Sequence, residues 1–248
     1  VDEHTNNIRK FWDDRAKEFG EDWRATLGEK YLRLLEINTM IKLIKKYKPK
    51  KVLDVGCGNG YSTKILANKF PAIKFVGIDY SSEMVFQAKK NPFNNCNFFV
   101  GDVLYLETLP KGEFDLIFTQ RCLQNIPDYG KQKNAIRNLL VKSSIDGILL
   151  LMECSKDGVE KLNNLRIKMG LLPIDNIEPW HNNFFLDENL AKDFSANIFH
   201  FTSTYMFLSK IIHRSLARVS FMLPAIGNFG YDKLYIIKKK EFVINAKQ

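Results

Sequence analysis

Ten consecutive residues, Val52-Leu53-Asp54-Val55-Gly56-Cys57-Gly58-Asn59-Gly60-Tyr61, restrict the fold of this chain more than any other stretch. An apolar burst ends in an acid and three glycines spaced two apart, and an amphipathic run, Ser62 to Phe70, follows at once. This pattern predicts a buried strand that turns sharply into a helix, with side chains stripped from the backbone where a ligand must come close. The spacing narrows the ligand. A dinucleotide fingerprint needs glycines at its first, third and sixth positions, and Tyr61 occupies the sixth.

Around this turn the chain alternates strand and helix signals. Apolar residues recur at a helical period at Ile8, Phe11, Trp12, Ala16 and Phe19, and again at Leu34, Ile37, Ile41 and Ile44, where Pro49 stops the run. Strands are expected at Lys74 to Ile78, Asn97 to Val100, Phe114 to Thr119 and Gly147 to Glu153, and helices at Ser82 to Lys90 and Lys131 to Lys142. Such alternation implies a parallel sheet with helices on both faces. Two later strands are expected at Ile198 to Tyr205 and Lys233 to Ile237. Between Ser155 and Ser195 lie a helix signal (Val159 to Met169), a Pro-punctuated loop (Leu172 to Asn183) and a short helix opened by Asp187. An insertion there sits at the carboxyl edge of the sheet, where open α/β folds bind ligands, and reads as a lid.

The acid-x-Gly-x-Gly-x-Gly turn resembles the opening of class I S-adenosylmethionine-dependent methyltransferases, and the resemblance covers Lys51 to Cys154. It implies one α/β domain with a seven-stranded, mostly parallel Rossmann-like sheet whose last strand is antiparallel. Residues 1–48 would be covering N-terminal helices, 49–154 the donor-binding core, 155–195 the lid and 196–248 the closing strands and helix. The expected donor is S-adenosylmethionine. Its methionine portion needs backbone approach at Gly56, Cys57, Gly58 and Gly60, with Asp54 orienting the amino group. Its ribose diol needs a carboxylate, and Asp79 ends the second strand; the competing role for Asp79, a helix cap, is one that Ser81 or Ser82 can fill. Tyr80 is placed to cover the adenine, and the resemblance assigns the adenine amino group to Asp102, beside Val103. The segment Phe11-Trp12-Asp13-Asp14-Arg15-Ala16 resembles a helix that such enzymes fold over the donor, which makes Arg15 a candidate for its carboxylate or else a solvent-facing arginine. One departure is Ser144-Ile145-Asp146-Gly147, where relatives carry Lys-Pro-Gly-Gly.

The acceptor is less defined. The stretch Thr119-Gln120-Arg121-Cys122-Leu123-Gln124-Asn125-Ile126-Pro127 lacks the acid or asparagine before Pro-Pro-aromatic used on nucleobase amines. It also lacks a carboxylate to hold magnesium, so no metal is expected. Gln120 and Arg121 are expected to line the pocket. A hydroxyl acceptor needs a base, and His181 beside Trp180 is the candidate, with Tyr205 second and Glu153 and Asp128 behind. The lid and the run Pro224 to Gly230 resemble methyltransferases associated with bacterial surface polysaccharide, which implies a small-molecule or glycan hydroxyl.

The 37 basic and 28 acidic residues leave a net charge of +9, scattered rather than massed. That balance fits solvated faces, and it keeps open an RNA acceptor, although no basic stripe interleaved with aromatics supports nucleic acid. A non-catalytic donor-binding partner is the remaining reading. Within Phe207 to Leu223, Lys210, Arg214 and Arg218 fall four apart opposite Leu208, Ile211, Ile212, Leu216 and Val219. Such a helix either packs on its own sheet or lies on an anionic membrane. Cys57, Cys96, Cys122 and Cys154 lack metal spacing and read as free thiols, and no apolar run is long enough to span a bilayer. A soluble cytoplasmic protein is expected.

Overall fold

The computed structural model describes residues 3–175 and 177–245; residues 1–2, 176 and 246–248, at the edges or within the expected N-terminal, lid and closing segments, lie outside the described residues. Seven strands form one sheet: β1 Lys51–Val55, β2 Lys74–Asp79, β3 Cys96–Val100, β4 Phe114–Gln120, β5 Ser143–Cys154, β6 Asn197–Phe199 and β7 Asp232–Lys238. Their spatial order is β3-β2-β1-β4-β5-β7-β6. The first five pair in parallel, and β7 runs antiparallel between β5 and β6.

Period-2 alternation sends neighbouring strand residues to opposite faces, and both faces are covered. Leu53, Val55, Ile117, Leu149 and Leu151 pack on α5 (Tyr129–Lys142) and α7 (Asp187–Phe194) through Ile136, Leu139, Leu190 and Phe194. On the other face Val52, Phe75, Leu116, Phe118 and Leu150 meet α2 (Lys30–Tyr47), α3 (Tyr61–Lys69) and α4 (Ser82–Lys89) through Met40, Ile44, Leu66 and Val85. Burial on both faces explains why β1, β4 and β5 read as continuous apolar runs. Between Ser144 and Gly147 the β4–β5 register shifts, so the departure from Lys-Pro-Gly-Gly is absorbed in an irregular strand start.

The first helix, α1 (Glu3–Phe19), lies over the carboxyl ends of the strands. Side-chain hydrogen bonds hold it and the turn after it there. The Trp12 indole N–H donates to Asn125 Oδ1 (3.2 Å), and Asn59 of the glycine turn donates to the carbonyls of Gly20 and Asp22 (2.8 Å each).

Three expectations change. The strand expected over 198–205 stops at Phe199, because Thr202 donates to the Asp232 carbonyl and the chain turns into a helical segment that buries Tyr205 and Met206. The amphipathic helix expected over 207–223 is broken into a π-turn at Phe207–Ile212, an extended His213, a 3-10 turn at Arg214–Leu216 and one α-turn at Ala217–Ser220. The segment 155–195 is divided: α6 (Lys156–Lys168) packs Leu162 into a satellite core, α7 joins the main core, and the connecting loop reaches α1 through His181.

Candidate functional site

The glycine turn starts the site. Gly56, Gly58 and Gly60 have φ of 72°, 55° and 77°, the left-handed region that side chains resist. A Cβ on Gly56 would stand 2.4 Å from Cys122 Sγ, and one on Gly58 2.4 Å from the Thr26 methyl group. These positions are closed to side chains, and the bare backbone faces a chain of three adjoining cavities that share Gly56.

The first cavity is bounded by Val55, Asp79, Tyr80, Asp102, Val103 and Ile126, and α1 roofs it with Thr5 and Ile8. The second lies among Trp12, Gly58, Met84, Gln120, Arg121 and Asn125. The third holds Thr26, Arg33, Asp54, Cys57, Ser62 and Gln120. Apart from Arg15, His181, Tyr205, Glu153 and Asp128, every candidate site residue borders this chain of cavities or, with Gly60, closes the turn beside it.

Asp79 Oδ2 accepts from the Gly58 N–H and Oδ1 from the Ser81 N–H (2.9 Å each). Burial pushes its pKa up to about 6 against the pull of those two bonds. The helix cap of α4 is Ser81, whose Oγ accepts from the Met84 N–H, so Asp79 is left to the cavity. Asp54, also buried, is raised to about 7, with Thr63 Oγ1 donating to it at 2.5 Å. Tyr80 stacks under Arg9, 5.2 Å from the ring centre, and its buried hydroxyl has no hydrogen-bond partner among the described residues. Asp102 is a turn residue whose Oδ1 accepts from Leu104 N–H, with its edge on the first cavity.

Arg15 is spent elsewhere. It donates to the carbonyls of Ala25 and Arg24 and stacks on Phe11 and Phe19, which fastens α1 to the following loop. The arginine at the third cavity is Arg33. It donates to Thr26 Oγ1 (2.5 Å), Ser62 Oγ (3.3 Å) and Gln120 Oε1 (3.5 Å), while its buried Nε is unpartnered. Glu36, fully buried, pairs with Arg33 (3.5 Å) and with Arg121. Two cations thus share one anion beneath the cavity, and desolvation with repulsion from Arg121 pulls the Arg33 pKa well down. A signal for Arg33 existed: it is in register with Ile37, Met40 and Ile44 on the buried stripe of α2, where a charge needs a purpose.

The loop after β4 is held by Glu153. This buried carboxylate accepts from Thr119 Oγ1 (2.6 Å) and from the N–H groups of Cys122 (3.2 Å), Leu123 (3.1 Å) and Gln124 (3.2 Å). Burial still lifts its pKa to about 7. At the head of the loop Arg121 adopts φ 53°, a conformation that costs a non-glycine residue and recurs at functional sites.

His181 stands behind the cavity wall. It stacks on Phe11 (4.6 Å) and meets Trp12 edge-on (5.7 Å); its Nδ1 is buried without a partner among the described residues, and burial lowers its pKa. Tyr205 lies in a different cavity and donates to Glu29 (3.1 Å). The four thiols are free, and no cluster of metal-ligating side chains occurs among the described residues.

Residues 46–195 match the family described as "Methyltransferase domain". The malonyl-[acyl-carrier protein] O-methyltransferase of Bacillus anthracis is 32% identical over 114 residues, covering 46% of this chain and 40% of that protein. The trans-aconitate 2-methyltransferase of Afipia carboxidovorans is 30% identical over 113 residues, covering 44% and 42%. The chain thus matches well under half the length of these relatives. Among solved structures, the plantazolicin methyltransferase BamL in complex with a triazolic desmethylPZN analog and SAH has a TM-score of 0.60 at 18% identity, covering 95% of this chain and 99% of that one. Magnesium protoporphyrin IX methyltransferase from Synechocystis PCC 6803 with bound SAH scores 0.59 at 17% identity, covering 94% and 98%. Those two show the fold. With the family match spanning more than half of the sequence, the glycine turn and its row of cavities identify this chain as a member of the S-adenosylmethionine-dependent methyltransferase family.

Proposed function

We propose that the chain transfers a methyl group from S-adenosylmethionine to a carboxylate oxygen of a small acidic acceptor, without a metal ion. The donor supplies an electrophilic methyl group on a sulfonium, which a correctly aligned nucleophile can displace directly. Asp79 would accept the ribose hydroxyls with its remaining lone pairs, and Asp102 and Val103 would border the adenine under Ile8. Arg33, with Thr26 and Ser62, would hold the donor carboxylate through its unpartnered Nε, and Asp54 would face the ammonium group.

The observation that carries the acceptor class is the composition of the second cavity. The carboxylate in its wall, Asp79, already has both oxygens engaged by backbone N–H groups, and no histidine lines it. A carboxylate nucleophile is ionised at neutral pH and needs no base. Arg121 at the cavity edge offers it a cationic counterpart. The names of the two curated relatives, which specify malonyl and aconitate acceptors, support an acid.

His181 favours a second reading, a sugar or small-molecule hydroxyl. A neutral imidazole one ring behind Trp12, with a buried unpartnered Nδ1, is equipped to take a proton if α1 shifts. The test incubates the protein with methyl-labelled donor and fractionated cell extract, then treats the product with mild base. Label released as methanol marks an ester and supports the carboxylate; label that persists marks an ether. His181→Ala separates the two again, since only the hydroxyl reading expects a large loss in kcat with donor affinity unchanged. Nuclease-sensitive incorporation would reveal an RNA acceptor, and donor binding without incorporation a non-catalytic partner.

A further inference from the structure

The region beyond the donor cavities is built from two segments that share a satellite core. Leu162, Leu165, Leu171 and Ile174 on and after α6 pack with Tyr205, Ile211, Phe221 and Phe229. Arg166 pins the segments together by donating to the carbonyls of Leu172 and Lys210. Farther along, Thr204 donates to the Pro224 carbonyl (2.7 Å) and accepts from the Ile226 N–H (2.8 Å), while Phe221 stacks on Tyr31 at 5.7 Å.

What this unit leaves outside is unusual for a water-facing surface. The broken helix hides Ile211 of its apolar stripe, but Ile212 is 49% exposed and Val219 40%. Met222 (66%), Leu223 (47%) and Ile226 (70%) follow, and Ile167, Met169 and Leu172 are exposed on the segment that Arg166 ties in. Single exposed apolar residues are ordinary, whereas a group of them marks an interaction surface. The stretch between Lys210 and Arg218 also borders a cavity of about 610 Å³ whose wall carries Lys30, Lys210, Arg214 and Arg218, with Glu29, Ser209 and Ser215. Lys210 is paired with Glu29; Arg214 and Arg218 are exposed and have no carboxylate partner among the described residues. Exposed apolar side chains on the segments that carry a basic pocket match the composition of a lipid surface, with hydrocarbon beneath anionic phosphate.

We propose that the face built by residues 167–172 and 210–226 docks on an anionic lipid bilayer, with lipid phosphate entering the basic cavity among Lys30, Lys210, Arg214 and Arg218. No helix among the described residues is long and apolar enough to cross a membrane, so the contact is with one leaflet only. The face is separate from the donor cavities, and the proposal stands whatever the acceptor is. Its test is flotation of the whole chain with vesicles of phosphatidylcholine alone and with about 30% phosphatidylglycerol added.

Binding at least tenfold stronger to the anionic vesicles, weakened by added salt, is expected. Arg214→Glu with Arg218→Glu should abolish that preference, and Met222→Asp with Ile226→Asp should reduce binding at least tenfold. Both pairs are exposed, and unchanged S-adenosylhomocysteine affinity would show that each variant is folded. Failure to float, equal binding to both vesicles, or variants that bind like the parent would overturn the proposal. Self-association abolished by Met222→Asp with Ile226→Asp, with no flotation, would assign the face to a second copy. Binding of inorganic phosphate without flotation would assign the cavity to a soluble anion. Either result also overturns the bilayer.

Discussion

Two side chains of the proposed donor site are fixed by their immediate neighbours. Asp79 is buried, raised toward neutrality and aimed by two backbone N–H groups, so its carboxylate is oriented before any ligand arrives. Arg33 is equally prepared, with Thr26, Ser62 and Gln120 fixing its plane. Isothermal calorimetry should therefore show Asp79→Ala and Arg33→Lys each weakening S-adenosylhomocysteine by at least tenfold, about 1.4 kcal/mol. The lysine keeps the charge next to Glu36 and removes the fork that a carboxylate needs. Arg15→Ala should leave affinity within about twofold, because its guanidinium is committed to backbone carbonyls. A large loss for Arg15→Ala with none for Arg33→Lys would reverse the assignment.

At the level of elements, the site depends on how the ends of β4 and β5 are tied. Glu153 closes the loop after β4 by accepting from one hydroxyl and three backbone N–H groups. Glu153→Ala leaves these donors buried without an acceptor, which should cost about 3 kcal/mol in a denaturant titration. Donor affinity should fall with it, since Cys122 and Asn125 border the cavities. A cost below about 1 kcal/mol would mean that the loop holds itself. The elements that the sequence foretold well, β1 to β5 and α3 to α5, are those whose hydrophobic period agrees with their burial. The stripe within 207–223 has a helical period, yet the chain there forms three short turns in place of one helix. Ile211 finds the satellite core, the chain breaks at His213, Leu208 and Leu216 are half-buried, and Ile212 and Val219 are left exposed.

Over the whole molecule, burial of acids at the strand ends links stability to pH. Asp54 and Asp79 have an ordinary value of 3.8 and Glu153 one of 4.5, and burial raises them to about 7, about 6 and about 7. The folded chain therefore binds these protons more tightly than the unfolded one. The stabilisation this gives is complete below about pH 4 and is lost as pH rises through 6 to 7. Counted alone, these three groups make the ligand-free protein less stable between pH 5 and pH 8. Ionised Asp54 and Asp79 are the forms suited to an ammonium group and a diol, so S-adenosylhomocysteine affinity should rise over the same interval. Thermal unfolding across pH 5 to 8 checks both: Tm of the free protein should fall, and the increment from saturating S-adenosylhomocysteine should grow. A constant increment would separate donor binding from these carboxyls, and Asp79→Asn should flatten part of the rise.

The sequence by itself determined the glycine turn, the acids at three successive strand ends and the alternation that lays the strands in parallel. Each is local: a φ that excludes side chains, a polar residue at the end of an apolar run, a period of 2 or 3.6. Only the tertiary structure decided which arginine faces the cavity, because Arg15 and Arg33 lie on different helices and the competition among carbonyls, Glu36 and the cavity is settled in space. It likewise placed Tyr205 in a different cavity and His181 one ring behind the wall, and it left Ile212 and Val219 of a helical stripe exposed. Those outcomes depend on which surfaces are already taken when a side chain arrives, and spacing along the chain does not record that.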